Sequence, residues 1–210
     1  MGALSGQASL DATAPVRPPL PRAPEAPRGP RAITASKLPR LIATDRLRLR
    51  AATTDDAAYI LSLRLDPNRN QHLAPTGPDL SAQIAWMEED SKRANRSYYV
   101  IEDPAGEAHG AIRLVVEDDA RFAAHSMIVS TDAPRGAAVE VAVLVYGFSL
   151  KSGLVGGRFF TRQANERAWH FFEKVGAVHV GNEGEERHYE VTAEIMRDFI
   201  GDVERVTIAG

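Results

Sequence analysis

The sequence predicts a mixed α+β fold in which helices flank one central, mostly antiparallel sheet. Three observations support this fold class. Segments with strand patterns are interspersed with segments whose apolar residues recur at helical spacing. Three of the strand segments follow one another over short connections, which favours antiparallel pairing. The composition, with 44% hydrophobic and 25% charged residues, is that of an ordinary globular protein.

The folded region is expected to begin near Leu41 and to open with a strand. Residues 46–50 alternate arginine with leucine, as a half-buried strand does. Thr54 then offers an N-cap to a helix that runs to about Leu65, and Pro67 interrupts it. The elements predicted after it are a helix at 81–93, strands at 97–102, 110–116, 122–130 and 155–161, a helix at 166–175, and strands at 178–180 and 189–191.

Residues 137–148 are ambiguous by pattern alone. Valine recurs at every second position from Val139 to Val145, so that propensity and period favour a strand. Only the family resemblance described below favours a helix for this segment.

Residues 1–40 are predicted to form an unstructured tail, and residues 41–210 to form the domain. Eight of the thirteen prolines precede residue 40, and proline removes a backbone donor and fixes φ. The segment has few apolar side chains to offset the entropy of ordering, so we expect residues 1–39 to be dispensable for folding. A proline-rich ligand for an SH3-like partner is the alternative.

Composition and charge exclude several classes of function. A net charge of −3 gives no reason to expect binding to nucleic acid or to a membrane surface, and no apolar run is long enough for a membrane span. The chain contains no Cys, which removes disulfides and thiol nucleophiles. Because the histidines show no metal-ligand spacing, no metal is expected. The expected location is cytoplasmic.

The segment from Met127 to Ala177 carries the most informative pattern. A strand leads into a turn of small residues, a long apolar segment ends at Phe148, and a further segment begins at Asn165. This arrangement resembles the core of the GNAT acyltransferase superfamily over roughly residues 43–191. The resemblance implies a GNAT-like fold, a helix over 137–148, and an N-acyltransferase that uses acetyl-CoA as its co-substrate.

The turn after this strand suits a pyrophosphate ligand. Small residues let backbone amides approach phosphate oxygens, and amides at a helix N-terminus are unpaired. Arg135 adds a planar donor. With the resemblance, the residues expected to bind the cofactor are Met127, Ile128, Val129, Arg135, Gly136, Ala137, Ala138 and Asn165.

The loop departs from the family pattern and can be aligned with it in two ways. If Arg135 opens the loop, no glycine remains at the inner position. If Phe148 is the anchor, Gly136 is the last small residue and Pro134 replaces the inner glycine. Both alignments stay open at this point.

Proton transfer is the second departure from the family pattern. Phe172 stands where the family often has a tyrosine that can protonate the leaving thiolate, and Ala177 replaces a phenylalanine. His125 lies on the strand that borders the expected acyl site, and its imidazole is the candidate catalytic base. An ordinary strand histidine is the alternative interpretation.

Residues 63–73 and 83–86 resemble the acceptor side of GNAT enzymes that acylate amino groups on nucleotide-linked sugars. Arg64, Asn70 and His72 are the candidate substrate ligands, because their side chains donate hydrogen bonds to hydroxyl or phosphate oxygens. The predicted reaction is acetyl transfer to a primary amine of a small molecule, and a homodimer is left open. The alternatives are a protein N-terminal acetyltransferase, because residues 46–50 also resemble that group, and a CoA-binding module without turnover.

Overall fold

The computed structural model describes residues 38–210, so the predicted tail lies outside the described residues except at positions 38–40. These three positions are joined to the domain. Leu38 is buried in the core, and the Tyr99 hydroxyl donates a hydrogen bond to the Pro39 carbonyl at 2.8 Å.

Within this range the chain forms nine strands and five α-helices, with short 3-10 turns at 54–56 and 203–205. In chain order the elements are β1 (Leu41–Ala43), β2 (Arg48–Ala51), α1 (Ala57–Leu65), α2 (Leu80–Ser91), β3 (Arg96–Glu102), β4 (Ala108–Val116), β5 (Arg121–Val129), α3 (Ala137–Lys151), β6 (Gly156–Arg162), α4 (Glu166–Lys174), β7 (Val178–Glu183), β8 (Glu186–Thr192), α5 (Ala193–Ile200) and β9 (Thr207–Ala209).

All nine strands belong to one sheet in the order β7-β8-β6-β5-β4-β3-β2-β1-β9. Every neighbouring pair is antiparallel except β5 and β6, which are parallel. The predicted fold class, a mostly antiparallel sheet flanked by helices, is therefore confirmed.

The parallel pair separates after its first residues. Arg121–Ala123 pair with Gly156–Arg158, and neither strand has a partner on this side beyond those residues among the described positions. The two strands therefore enclose a gap in an otherwise continuous sheet. We call it the β5–β6 gap.

Helices cover both faces of the sheet. On one face, α3 and α5 pack in the main hydrophobic core, which includes Leu144, Tyr146 and Met196. On the other face, α1 and α2 pack in a smaller cluster around Ile60 and Met87. Both clusters include residues of β5, so this strand is held from both sides.

The ambiguous segment is a helix, as the resemblance implied. Its residues from Glu140 to Ser149 are all buried, and a helix that is buried all round shows no apolar and polar face. No described helix combines the length and the apolar character needed to cross a membrane.

Candidate active site

A bulge in β5 borders the gap. His125 pairs with Arg113 of β4, and Ile128 pairs with Ala111, so two residues of β5 stand opposite one residue of β4. Ser126, in the bulge, has φ of +49°, a conformation that costs energy for a residue with a Cβ. Gly110 permits the close approach, because a Cβ there would lie 2.1 Å from the Ile128 carbonyl oxygen.

Arg64 lies against this bulge. It is the last basic residue of α1, and its guanidinium donates to the Ser126 hydroxyl at 3.3 Å. A second donor reaches the Thr76 hydroxyl at 2.8 Å. The structure thus places one predicted substrate ligand at the bend of β5, although Arg64 lies more than 60 positions earlier in the chain.

The two other predicted substrate ligands lie in the segment between α1 and α2. Asn70 and His72 are half-buried. The Asn70 backbone donates to Asp66 and accepts from Leu73, while neither side chain makes a hydrogen bond with the described residues. Arg69 joins this segment to the sheet by donating to the Val129 carbonyl.

A row of side chains crosses the sheet at the level of His125. Tyr98 pairs with Arg113 and Arg113 pairs with His125 across three strands. The His125 ring then meets the Phe160 ring edge-on, with centroids 5.5 Å apart. Phe160 stacks on His188 of β8 at 6.1 Å. The rings therefore bridge the β5–β6 gap on the face that carries α1 and α2.

The surroundings of His125 favour its neutral form. Burial lowers the pKa of its imidazole below the usual histidine value, and the positive charge of Arg113 lowers it further. Arg96 acts in the same direction and Glu117 opposes them. A neutral imidazole near pH 7 can accept a proton, so the chemistry of a general base is available here.

The N-terminus of α3 offers backbone donors. Gly136 is the N-cap with φ of +85°, and no side chain caps the helix. The Ala137 amide donates to the Pro134 carbonyl at 2.9 Å, and its side chain is buried. Four other amides of this turn have no acceptor among the described residues, namely those of Arg135, Gly136, Ala138 and Val139.

This helix start bears on the alignment of the loop. Because α3 begins directly after Gly136, the structure agrees with the alignment in which Gly136 is the last small residue and Pro134 stands at the inner position. Residues 137–140, which the other alignment assigns to the loop, are helical.

Two arginines that the sequence analysis did not connect with this turn lie close to it. Arg46, predicted as a strand residue, lies before β2 and donates to the Arg135 carbonyl at 3.1 Å. It also pairs with Glu140 at 3.4 Å, as does Arg205 at 3.1 Å. One buried carboxylate therefore faces two guanidinium groups, which leaves positive charge beside the free amides. Glu140 is held by these pairs and is not a candidate base.

Backbone groups at the end of β5, next to this turn, also border the β5–β6 gap. Met127, Ile128 and Val129 lie beyond the last residue that pairs with β6, so that edge has no strand partner there, although the Val129 carbonyl accepts a hydrogen bond from Arg69. Asn165 caps α4, its side chain accepting from the Ala168 amide at 3.2 Å. Phe172 stacks on Phe159 with centroids 5.1 Å apart, and this packing explains an apolar residue there.

One cluster of potential metal ligands was not predicted from the spacing of the histidines. Asp103, Glu107 and His109, on the β3–β4 hairpin, have ligand atoms within 4.8 Å of one another. His109 Nε2 lies 3.6 Å from Asp103, and neither ring nitrogen has a hydrogen-bond partner among the described residues. The turn brings these residues together, which the spacing of the histidines alone does not predict.

Comparison with known proteins points to one family. The model of the family described as "Acetyltransferase (GNAT) domain" matches residues 46–178, more than half of the chain. No curated protein matches the sequence.

Among solved structures, apo FdhC, described as a nucleotide-linked sugar GNAT, is 25% identical with a TM-score of 0.67, covering 77% of this chain and 95% of its own. The spermidine N-acetyltransferase from Vibrio cholerae, in complex with CoA and spermine, is 16% identical with a TM-score of 0.63, covering 72% and 98%. A GCN5-related N-acetyltransferase from Brucella melitensis is 15% identical with a TM-score of 0.65, covering 80% and 87%.

Proposed function

Since the chain belongs to the GNAT family of acetyltransferases, we propose that it transfers acetyl from acetyl-CoA to the primary amine of a nucleotide-linked amino sugar. The observation that carries this proposal is the β5–β6 gap. Free backbone donors lie on its α3 side, and His125 and Arg64 lie at its other side.

The α3 side is the proposed site of the co-substrate. The free amides after Pro134 would hold the pyrophosphate of CoA, aided by the helix dipole and the guanidinium groups of Arg46 and Arg135. The edge of β5 from Met127 to Val129, which has no strand partner, would pair with the pantetheine amides and polarise the thioester carbonyl. Asn165 is the remaining proposed cofactor ligand, at the start of α4.

His125 is the proposed base. The amine must lose a proton to attack the thioester carbon, and the imidazole takes this proton as the C–N bond forms. The C–S bond then breaks and CoA leaves as a thiolate, which is a tolerable leaving group because free thiols have a pKa of about 8.5. No covalent enzyme intermediate forms, so the protein acts mainly by orienting its two substrates.

The charges near His125 favour an anionic acceptor over a polyamine. Arg64 forms no ion pair among the described residues, and Arg96 and Arg113 share one carboxylate, that of Asp90. A polycation such as spermidine would be repelled by this surplus of guanidinium groups, whereas a phosphate-bearing sugar would be attracted. Arg64, Asn70 and His72 would contact the sugar hydroxyls.

The proposed reaction takes place in the cytoplasm and uses a small molecule as its acceptor, in a monomer or homodimer.

A CoA-binding module without turnover is the second candidate, because Phe172 cannot protonate a thiolate and Pro134 replaces the inner glycine of the loop. Acetyl transfer to any amine would exclude it.

The test is thiol release from acetyl-CoA with matched acceptors. UDP- and dTDP-linked amino sugars, the same amino sugars without nucleotide, spermidine and peptide N-termini are compared by kcat/KM, with His125→Ala as the background control. The proposal expects the largest kcat/KM with an amino-sugar nucleotide. A peptide or spermidine as the best acceptor would contradict it, and CoA binding without turnover would favour the second candidate.

A further inference from the structure

His125 and Arg64 lie on one side of the β5–β6 gap, which we call the acceptor side. A cavity of about 250 Å³ opens beside it. The residues that line it are Trp86, Glu89, Asp90, Arg93, Arg96 and Arg113. It lies where the second half of α2 passes the start of β3 and the end of β4. Arg113 belongs at once to this cavity and to the row of side chains, because it stands directly opposite His125.

The cavity carries more positive than negative charge. Asp90 accepts from Arg113 at 2.7 Å and lies 3.8 Å from Arg96, so that one carboxylate serves two guanidinium groups. Glu89 pairs at 2.7 Å with Lys92, a residue that does not line the cavity. Arg93 is exposed and has no carboxylate within ion-pair distance among the described residues.

An exposed aromatic ring, that of Trp86, lines the same cavity. Trp86 is 44% exposed, although a tryptophan usually buries its large apolar surface. Its ring is fixed by an edge-on contact with Tyr98 at 6.1 Å and by the Arg113 guanidinium at 5.5 Å from the ring centre. A fixed indole lies beside Arg93, which has no ion pair among the described residues, and beside Arg96 and Arg113, which share one carboxylate. This arrangement combines stacking on a base with donors for phosphate.

We propose that this cavity binds the nucleoside diphosphate of the acceptor, with Arg93 and Arg96 on the phosphates and Trp86 against the base. The inference rests on the proposed function, since it assumes that the sugar amine reaches His125. It assigns recognition of the nucleotide half of the acceptor to residues that play no part in binding CoA.

Calorimetry on the full chain tests the site directly, with UDP and dTDP as probes and inorganic pyrophosphate as competitor. All titrations contain saturating CoA, because CoA carries a nucleotide of its own and its site must be filled. Wild type should bind at least one probe, and Arg93→Ala and Trp86→Ala should each bind it about tenfold more weakly. Arg197→Ala, which removes an exposed arginine on α5 that does not line the cavity, should bind like wild type. No binding by wild type, or equal binding by all variants, would overturn the inference.

Kinetics then separate this inference from the proposed function. If an amino-sugar nucleotide is the best acceptor but Arg93→Ala and Trp86→Ala leave its KM unchanged, the cavity is not the nucleotide site and the proposed function stands. If the variants lose nucleotide binding while no amino-sugar nucleotide is acetylated, the site stands and the proposed acceptor is wrong. A rise in the KM of the nucleotide-linked sugar, with the KM of the free amino sugar unchanged, supports both.

Discussion

The two sides of the β5–β6 gap are built by different means. The α3 side consists mainly of backbone amides, supplied by Arg135 and Gly136 of the loop and by the first turn of α3. The acceptor side consists of side chains from separate elements, with Arg64 from α1, His125 from β5 and Phe160 from β6. Because Pro134 carries no amide hydrogen, the donors on the α3 side must come from the residues that follow it. Side chains distinguish one acceptor from another, so specificity is expected to reside on the acceptor side.

The largest effect is expected where a substitution blocks the amides themselves. Gly136→Glu forces a residue with a Cβ into φ of +85° and adds negative charge where phosphate would lie. We expect CoA to bind at least about a hundredfold more weakly, since both strain and repulsion oppose it. Calorimetry measures the affinity, and circular dichroism checks that the fold is retained.

Gly136→Ala separates the two causes. It keeps the strain and lacks the charge, so it should lose clearly less affinity than Gly136→Glu. CoA affinity unaffected in a folded Gly136→Glu protein would remove the α3 start from the cofactor site.

A smaller effect, confined to the acceptor, is expected at Arg64. Arg64→Gln removes a charge but keeps a donor near the Ser126 hydroxyl, which the arginine contacts at 3.3 Å. The KM for an amino-sugar nucleotide should rise about tenfold, as expected for losing a hydrogen bond from a charged group. CoA affinity should stay the same. A parallel loss of CoA affinity would show that Arg64 supports the bulge rather than the acceptor.

The smallest effect is expected at Phe172. Its ring stacks on Phe159 and meets Tyr189 edge-on at 5.5 Å, within the aromatic packing beneath α4. Phe172→Tyr should change turnover by less than about twofold, because thiolate departure needs no protein acid in this account. A large gain in turnover would mean that the wild-type chain is close to the inactive module considered above.

Most of the fold could be predicted from the sequence, because local patterns specify most of its elements. The helix of residues 57–65 agrees with its predicted end, and the strands from β3 to β8 lie within a few residues of the predicted positions. The strands β1 and β9 were missed because each has only three residues and is stabilised by pairing with the other. The helix α5 was also missed, although Thr192, whose side chain caps it, and Gly201 at its end are visible in the sequence.

The candidate site was predicted only in part, for a physical reason. His125 could be singled out because it lies close to the family pattern in the chain. Arg113, Phe160 and Trp86 could not, since their proximity depends on the register between strands and on how α2 crosses the sheet. Likewise, the role of Arg46 beside the α3 start depends on a contact between residues 89 positions apart.

The most direct test of the central claim is the turnover of His125→Ala at several pH values. The account predicts that wild-type turnover is constant above the pKa of His125 and falls as the imidazole gains a proton at lower pH, with that pKa below the usual histidine value. His125→Ala should lower turnover at least about tenfold with CoA affinity unchanged, and the fall at low pH that belongs to the imidazole should disappear. Full turnover by this variant with the best acceptor, or an unchanged pH profile, would contradict the claim that acyl transfer in the β5–β6 gap depends on His125 as its base.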